Sequence, residues 1–292
     1  MLTPEPETRH ASRDAGAALI GAVATPDVHV MSWNIRRKTG PVHPRVVDHW
    51  KRRAPRVRAL LQAERPALLG VQEALGEQSA FVRECLGGSY RFIGHGRGSR
   101  GEGEASPIFY DADRFELLDW EQSALSDTPH RPGSRSWGNL IPRVLVSAQF
   151  RDLQTSARFL MLNTHLDHLS AKSRLRSAQR MRKLAAESSV PVVLTGDFNA
   201  SGSSDSLAEL LREDVLADSW AASPRHSTPA WGTYANYREP RPDRARIDWI
   251  LTSPSIEIER TAINAHRHLG GWASDHLPVQ AVIRFPEKGS PA

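Results

Sequence analysis

Cysteine is almost missing: Cys85 is the only one in 292 residues. One thiol excludes an intramolecular disulfide and a cysteine zinc cluster. Its helix-like setting, FVRECL, marks it as a small buried side chain. Lysine is nearly as scarce, occurring only at 38, 51, 172, 183 and 288, so arginine supplies 33 of the 38 basic residues. Arginine is the better phosphate fork, but a net charge of +5 is weak grounds for a nucleic-acid partner. No apolar run approaches the ~18 residues that span a bilayer. A positive leader region is also lacking, because Glu5, Glu7 and Asp14 precede the mildly apolar stretch Ala15–Ala24. Residues 1–27 therefore read as a flexible tail of a cytoplasmic protein, with a cleaved leader as the alternative. Charged residues at 24% sit near the globular average and argue against wholesale disorder.

What is present is an interleaved series of strand and helix signals over residues 28–286, with no linker inside it. This predicts one α/β domain with short tails at 1–27 and 287–292. Val28–Trp33 alternates as a strand and delivers Asn34. Pro44–Arg65 is helical in pattern and very basic, with Pro55 opening its second half. Its charges read mainly as a solvated face, phosphate contact being the sharper alternative. Leu68–Val71 is a buried strand that ends at Gln72 and Glu73. The glycine-rich GHGRGSRGEG at 94–103 reads as a mobile loop, without the ordered pattern of a phosphate-binding P-loop. Pro107–Tyr110 and Phe115–Leu118 read as a strand pair around a turn at 111–114. Arg158–Leu162 is a strand leading into Asn163-Thr164-His165-Leu166-Asp167-His168, and Ser170–Ser188 is a basic helix.

The centre of the pattern is PVVLTGDFNA at 191–200. Three apolar residues form a short buried strand, and Asp197 and Asn199 follow at i, i+2, on one side of extended backbone. Asp248 begins the apolar run of RIDWILT, and Asp275-His276 precedes the last strand. Six strand ends thus carry acids, amides and histidines. Glu73 and a second carboxylate suit Mg²⁺ or Mn²⁺ bound through oxygen. An Asp–His unit suits proton management or charge stabilisation at phosphorus.

The series WNIR, GVQE, NTHLDH, GDFNA, RIDWIL and SDHLPV, in this order, resembles the endonuclease/exonuclease/phosphatase superfamily over roughly residues 28–285. Its bacterial family-hydrolase branch is the nearest likeness, with some similarity to nocturnin and deadenylase members. The resemblance implies a four-layer α/β sandwich, two mostly antiparallel central sheets flanked by helices. It implies Asn34 and Glu73 as the first metal pair, with Asp275 as a second carboxylate on the metal side. His165 is similar to the histidine that contacts the scissile phosphate. Asp197 looks like the residue that orients or deprotonates water, and Asn199 like its phosphate-contacting partner. His276 resembles the histidine that stabilises the pentavalent phosphorus. Asp248 looks like the acid that orients a site histidine, most simply His165. Arg143, Asp167 and His168 are branch features placed toward substrate phosphate, a turn or an ion pair being the plainer roles.

The expected activity is metal-dependent phosphoester hydrolysis by in-line attack of water, on a small phosphorylated metabolite or nucleotide. A DNA or RNA nuclease is the alternative. A non-catalytic scaffold, or a site repurposed for another reaction, stands further back. Monoester or diester preference, the number of metal ions and the oligomeric state are not encoded in these motifs.

Overall fold

The computed structural model describes residues 17–286. Twelve strands make two six-stranded sheets. The first sheet runs β11 (Glu257–Ile263), β12 (Val279–Arg284), β1 (Val28–Asn34), β2 (Leu68–Gln72), β4 (Ile108–Asp111), β3 (Tyr90–Ile93). The second runs β5 (Phe115–Ala124), β6 (Val144–Asp152), β7 (Arg158–His165), β8 (Val192–Asp197), β10 (Asp248–Thr252), β9 (Ala217–Asp218). Every neighbouring pair is antiparallel except β1–β2 and β7–β8.

Alternation of side chains explains the layers. Val28, Val30, Leu68, Phe159, Met161, Val193, Ile250, Val279 and Ala281 meet in one core between the sheets. The residues of opposite parity face outward. Met31, Trp33, Leu69 and Val71 pack with Val57, Leu60, Leu61 and Val82, from α1 (Trp50–Glu64) and α2 (Gly76–Leu86). Leu162, Val192 and Leu194 pack with Ala178, Met181, Leu207 and Leu210, from α3 (Ala171–Ala186) and α4 (Asp205–Leu211). The result is the helix–sheet–sheet–helix sandwich implied by the sequence motifs.

The inward parity changes character toward one end. Val30 gives way to Ser32 and Asn34, Leu68 to Gly70 and Gln72, Met161 to Asn163 and His165, and Val193 to Thr195 and Asp197. Register aligns these steps: Ser32 faces Gly70, Asn163 faces Thr195, His165 faces Asp197, and Asp197 faces Asp248. The middle rung is a buried polar lock. Asn163 Nδ2 donates to the carbonyls of Val71, Ser106 and Pro107 at 2.9–3.0 Å. Its Oδ1 accepts from Gln72 Nε2 at 2.8 Å and from Thr195 Oγ1 at 3.0 Å. Gly70 makes the close approach feasible: a Cβ there would lie 2.1 Å from Thr195 Oγ1.

Several expectations need correcting. The segments at 107–110 and 115–118 do not pair. β4 belongs to the first sheet and β5 to the second, and the turn between them carries the chain across. Buried Arg114 fixes that crossing, bonding Asp152 Oδ2 and the Asp27 carbonyl. β11 carries no motif and passed unread in the sequence. α1 runs unbroken through Pro55. The glycine-rich loop is a tight turn, closed by Gly96 N to Gly101 O, Arg97 N to Glu104 O and Gly98 N to Glu102 O.

The N-terminal tail at 1–27 lies partly outside the described residues, as does the C-terminal tail at 287–292. The described part is docked: Glu64 accepts the N–H groups of Leu19, Ile20 and Gly21. A buried carboxylate needs such donors, and this segment supplies them. Among the described residues no helix is long and apolar enough to cross a membrane.

Candidate active site

The functional side chains collect where the inward face turns polar, in a cleft of about 440 Å³. Glu73, Asn199 and Arg36 each follow a site strand with φ between 48° and 62°. Left-handed backbone at non-glycine residues costs on the order of 1–3 kcal/mol, and here three instances cluster on one site.

His276 is the hub. Its Nδ1 lies 2.9 Å from Asp248 Oδ2 and its Nε2 lies 3.8 Å from Asp197 Oδ2. Burial opposes its charge, but Asp248 and Asp197 outweigh burial and push its pKa up to about 10. Asp248 was expected to orient His165. It orients His276 instead, because β10 pairs with β8 in a register that sets Asp248 beside Asp197.

Asp197 is fully buried, accepting Asn34 Nδ2 at 2.9 Å and the Asn199 N–H at 2.9 Å. Burial, then the charge of Asp248, pushes its pKa up to about 7. Asn199 Nδ2 donates to His165 Nε2 at 3.0 Å and to the Leu166 carbonyl at 3.0 Å. An amide N–H on Nε2 leaves the imidazole proton on Nδ1. Burial, with Arg143 and Arg97 nearby, holds His165 well below the usual histidine pKa and keeps it neutral.

Across the cleft, Glu73 accepts Asn34 Nδ2 at 3.1 Å and the Arg37 N–H at 3.1 Å. Burial would raise its pKa, but these donors and Arg36 hold it below the ordinary value. Asp275, raised by burial, faces the same side, and Arg36 approaches both carboxylates, at 3.6 and 3.7 Å. Asn34, expected as a ligand beside Glu73, turns its amide nitrogen to Glu73 and Asp197, while its oxygen accepts the Arg36 N–H at 2.9 Å. In this orientation its nitrogen positions two carboxylates, and its oxygen already accepts one hydrogen bond.

Arg143 stands in the cleft wall, with Nε 3.3 Å from Asp167 and Nη2 3.1 Å from His168 Nδ1. His168 lines the cleft. Asp167 sits behind, accepting the N–H groups of Leu169 and Ser170, so it closes a turn and holds Arg143 instead of meeting substrate.

Arg36, Arg37, Arg97, Glu104 and Tyr234 also line the cleft and were not selected from sequence. Arg97 belongs to the glycine-rich loop and Glu104 directly follows it; that loop's only legible signal was its composition. The basic charges around α1 are not all a solvated face. Arg53 is fully buried and donates to the carbonyls of Ile35, Arg36, Arg37 and Asp48 at 2.7–3.2 Å. Arg36 and Arg58 are paired with Asp48 and Glu84.

Two donor sets could receive a divalent cation. Asp197, Asp248 and His276 offer ligand atoms within 4.8 Å of one another. In that set Asp248 and His276 are already hydrogen-bonded together. Glu73 and Asp275 present oxygen donors at the cleft, the chemistry that hard cations prefer.

The two-sheet sandwich, with acids and histidines at one end of its inner face, is the architecture of the endonuclease/exonuclease/phosphatase fold. The chain belongs to the endonuclease/exonuclease/phosphatase family, whose model matches residues 31–276. An endonuclease/exonuclease/phosphatase family protein from Bacteroides thetaiotaomicron is 30% identical, covering 89% of this chain and 98% of its own, with a TM-score of 0.82. A mannosyl-6-phosphatase from Bacteroides thetaiotaomicron VPI-5482 is 31% identical, covering 88% and 100%, with a TM-score of 0.81. The human Nocturnin catalytic domain shares the fold at 16% identity, covering 89% and 95%, with a TM-score of 0.67. No curated protein sequence matches this chain. The family generally depends on a divalent metal.

Proposed function

We propose that this protein is a Mg²⁺- or Mn²⁺-dependent hydrolase of phosphoesters, acting on a small phosphorylated metabolite or nucleotide. One observation carries the reading: a buried Asp248–His276–Asp197 relay faces the Glu73 and Asp275 carboxylates across a single cleft. The similarity to a mannosyl-6-phosphatase supports it.

Glu73 and Asp275 would hold the metal. The bound ion would supply positive charge to the phosphoryl oxygens and the leaving oxygen. The remaining chemistry belongs to the protein. Asp197 orients the attacking water and accepts its proton, with a pKa near 7 suited to that task. Asp248 keeps His276 protonated, so His276 meets the negative charge that grows at phosphorus. Neutral His165 donates from Nδ1 to the oxygens on the other side, and Asn199, whose two amide hydrogens go to His165 Nε2 and the Leu166 carbonyl, fixes the ring. Asn34 fixes the spacing of Glu73 and Asp197, and with it the line of attack. The test is hydrolysis of sugar phosphates, inositol phosphates and mononucleotides with Mg²⁺, with Mn²⁺ and with EDTA. The Asp197→Asn variant runs alongside. Turnover that survives EDTA, or survives Asp197→Asn, would sink the proposal.

A nuclease is the second reading, favoured by one observation. Lys172, Arg176 and Arg180 line one face of α3 at four-residue spacing beside Trp137. Affinity for single-stranded DNA or RNA that falls steeply with salt would support it.

A further inference from the structure

We propose that Arg97 and Arg143 form a preset clamp for the terminal oxygens of the scissile phosphate, which makes phosphomonoesters the substrate class. The inference rests on the hydrolase reading and deepens it.

Arg143 is 2% exposed and anchored from behind, by Asp167 through Nε and by His168 through Nη2. Asp167 is itself locked by two backbone N–H groups. The third guanidinium nitrogen, Nη1, has no hydrogen-bond partner. His165 Nδ1 on the same wall is also without a partner, and its hydrogen-bonded neighbour places the proton there. Leaving buried donors unpaired is costly. Two of them on side chains of one cleft mark a place that an oxyanion completes.

Arg97 supplies the second cation. Its Nη2 is 2.6 Å from Glu104 Oε2, and Glu104 also draws in Arg37 at 3.5 Å. The glycine-rich loop exists to hold this geometry. A Cβ at Gly96 would lie 2.3 Å from the Glu102 backbone, and one at Gly98 would lie 2.2 Å from the Glu102 carboxylate. At position 96 the clash is with backbone, so glycine there permits the tight fold that carries residue 97 to the cleft.

The charge logic then selects the substrate. A monoester carries two negative charges on three terminal oxygens, and a diester carries one charge on two. The metal side and His276 serve one flank of the phosphate. Arg97, Arg143 and His165 Nδ1 serve the other, where the extra oxygen and charge of a monoester are matched. Both guanidinium groups are held before substrate arrives, so little ordering cost falls on binding.

The test compares p-nitrophenyl phosphate with bis-p-nitrophenyl phosphate in the Mg²⁺-loaded full chain. Calorimetric binding of inorganic phosphate and of dimethyl phosphate runs in parallel. Hydrogen bonds to charged groups are each worth about 10- to 100-fold. The wild type should therefore favour the monoester by about 100-fold or more in kcat/KM. Arg143→Lys keeps a cation beside Asp167 but removes the fork, and it should cut that preference by about 10-fold or more. Arg97→Gln carries the same expectation from a separate loop, so a folding defect in one variant leaves the other decisive. Equal rates on both esters, or variants that lower both equally, overturn the clamp while the hydrolase reading stands. If neither ester turns over, the metabolite panel decides the hydrolase reading and binding decides the clamp. Phosphate bound about 10-fold tighter than dimethyl phosphate, with that margin lost in both variants, supports it. Equal binding overturns it.

Discussion

Gly70→Ala tests the polar lock that joins the two halves of the site. The new Cβ would sit 2.1 Å from Thr195 Oγ1 and 2.6 Å from Asn163 Oδ1. Overpacking a core costs roughly 1–3 kcal/mol. The hydroxyl of Thr195 must also leave Leu162 O and Asn163 Oδ1, its partners at 3.2 and 3.0 Å. Stranding a buried polar group adds about 1–3 kcal/mol. The sum is about 2–6 kcal/mol, or a melting temperature lower by roughly 10 °C. Urea unfolding of the purified variant reads the free energy. A double-mutant cycle with Thr195→Ala reads the cause, because removing Oγ1 should recover at least about 1 kcal/mol of the loss. Since the lock spaces Glu73 from His165 and Asp197, turnover should fall with stability. A loss below about 1 kcal/mol, or strict additivity in the cycle, would refute the reasoning.

Other outcomes follow from single contacts. Asp248→Asn removes the carboxylate that keeps His276 charged, and kcat should fall by about 10²–10⁴ with the melting temperature little changed. Arg53→Met strips the staple from four carbonyls of the site loops, and should cost about 3–5 kcal/mol in urea unfolding. His29 is buried and neutral, Nδ1 bonding the Gly21 carbonyl and Nε2 facing Gln280. Burial lowers its pKa to about 4 from an ordinary 6.5. The unfolded chain therefore binds the extra proton between those values. Stability should be full above about pH 6.5 and should decline by about 3 kcal/mol as pH falls toward 4. A His29→Gln variant should show a flatter profile over that window, measured by urea unfolding at pH 5 and pH 7.5.

The four layers were legible because inner and outer parity is written along each motif strand: Val192 and Leu194 outward, Val193, Thr195 and Asp197 inward. The strand-end acids and histidines were legible for the same reason, since apolar runs announce where they stop. Partnership was harder to read. Which histidine Asp248 serves depends on the pairing of β10 with β8, a contact across about fifty residues that local pattern does not carry. The fate of the basic segment depended on tertiary demand. Arg53 is buried because the segment 35–37 and residue 48 turn carbonyls toward it, and nothing local distinguishes it from its solvated neighbours. Arg97 was hidden because its loop shows only glycine and charge. The reason for those glycines, close approach to Glu102, appears once the chain is folded.

The most direct test of the central claim is phosphate release from a sugar-phosphate panel by wild type and Asp197→Asn, each with Mg²⁺ and with EDTA. The account predicts turnover by the wild type with Mg²⁺ alone, and a loss of about 10³-fold or more in Asp197→Asn. Equal release in all four conditions would contradict it.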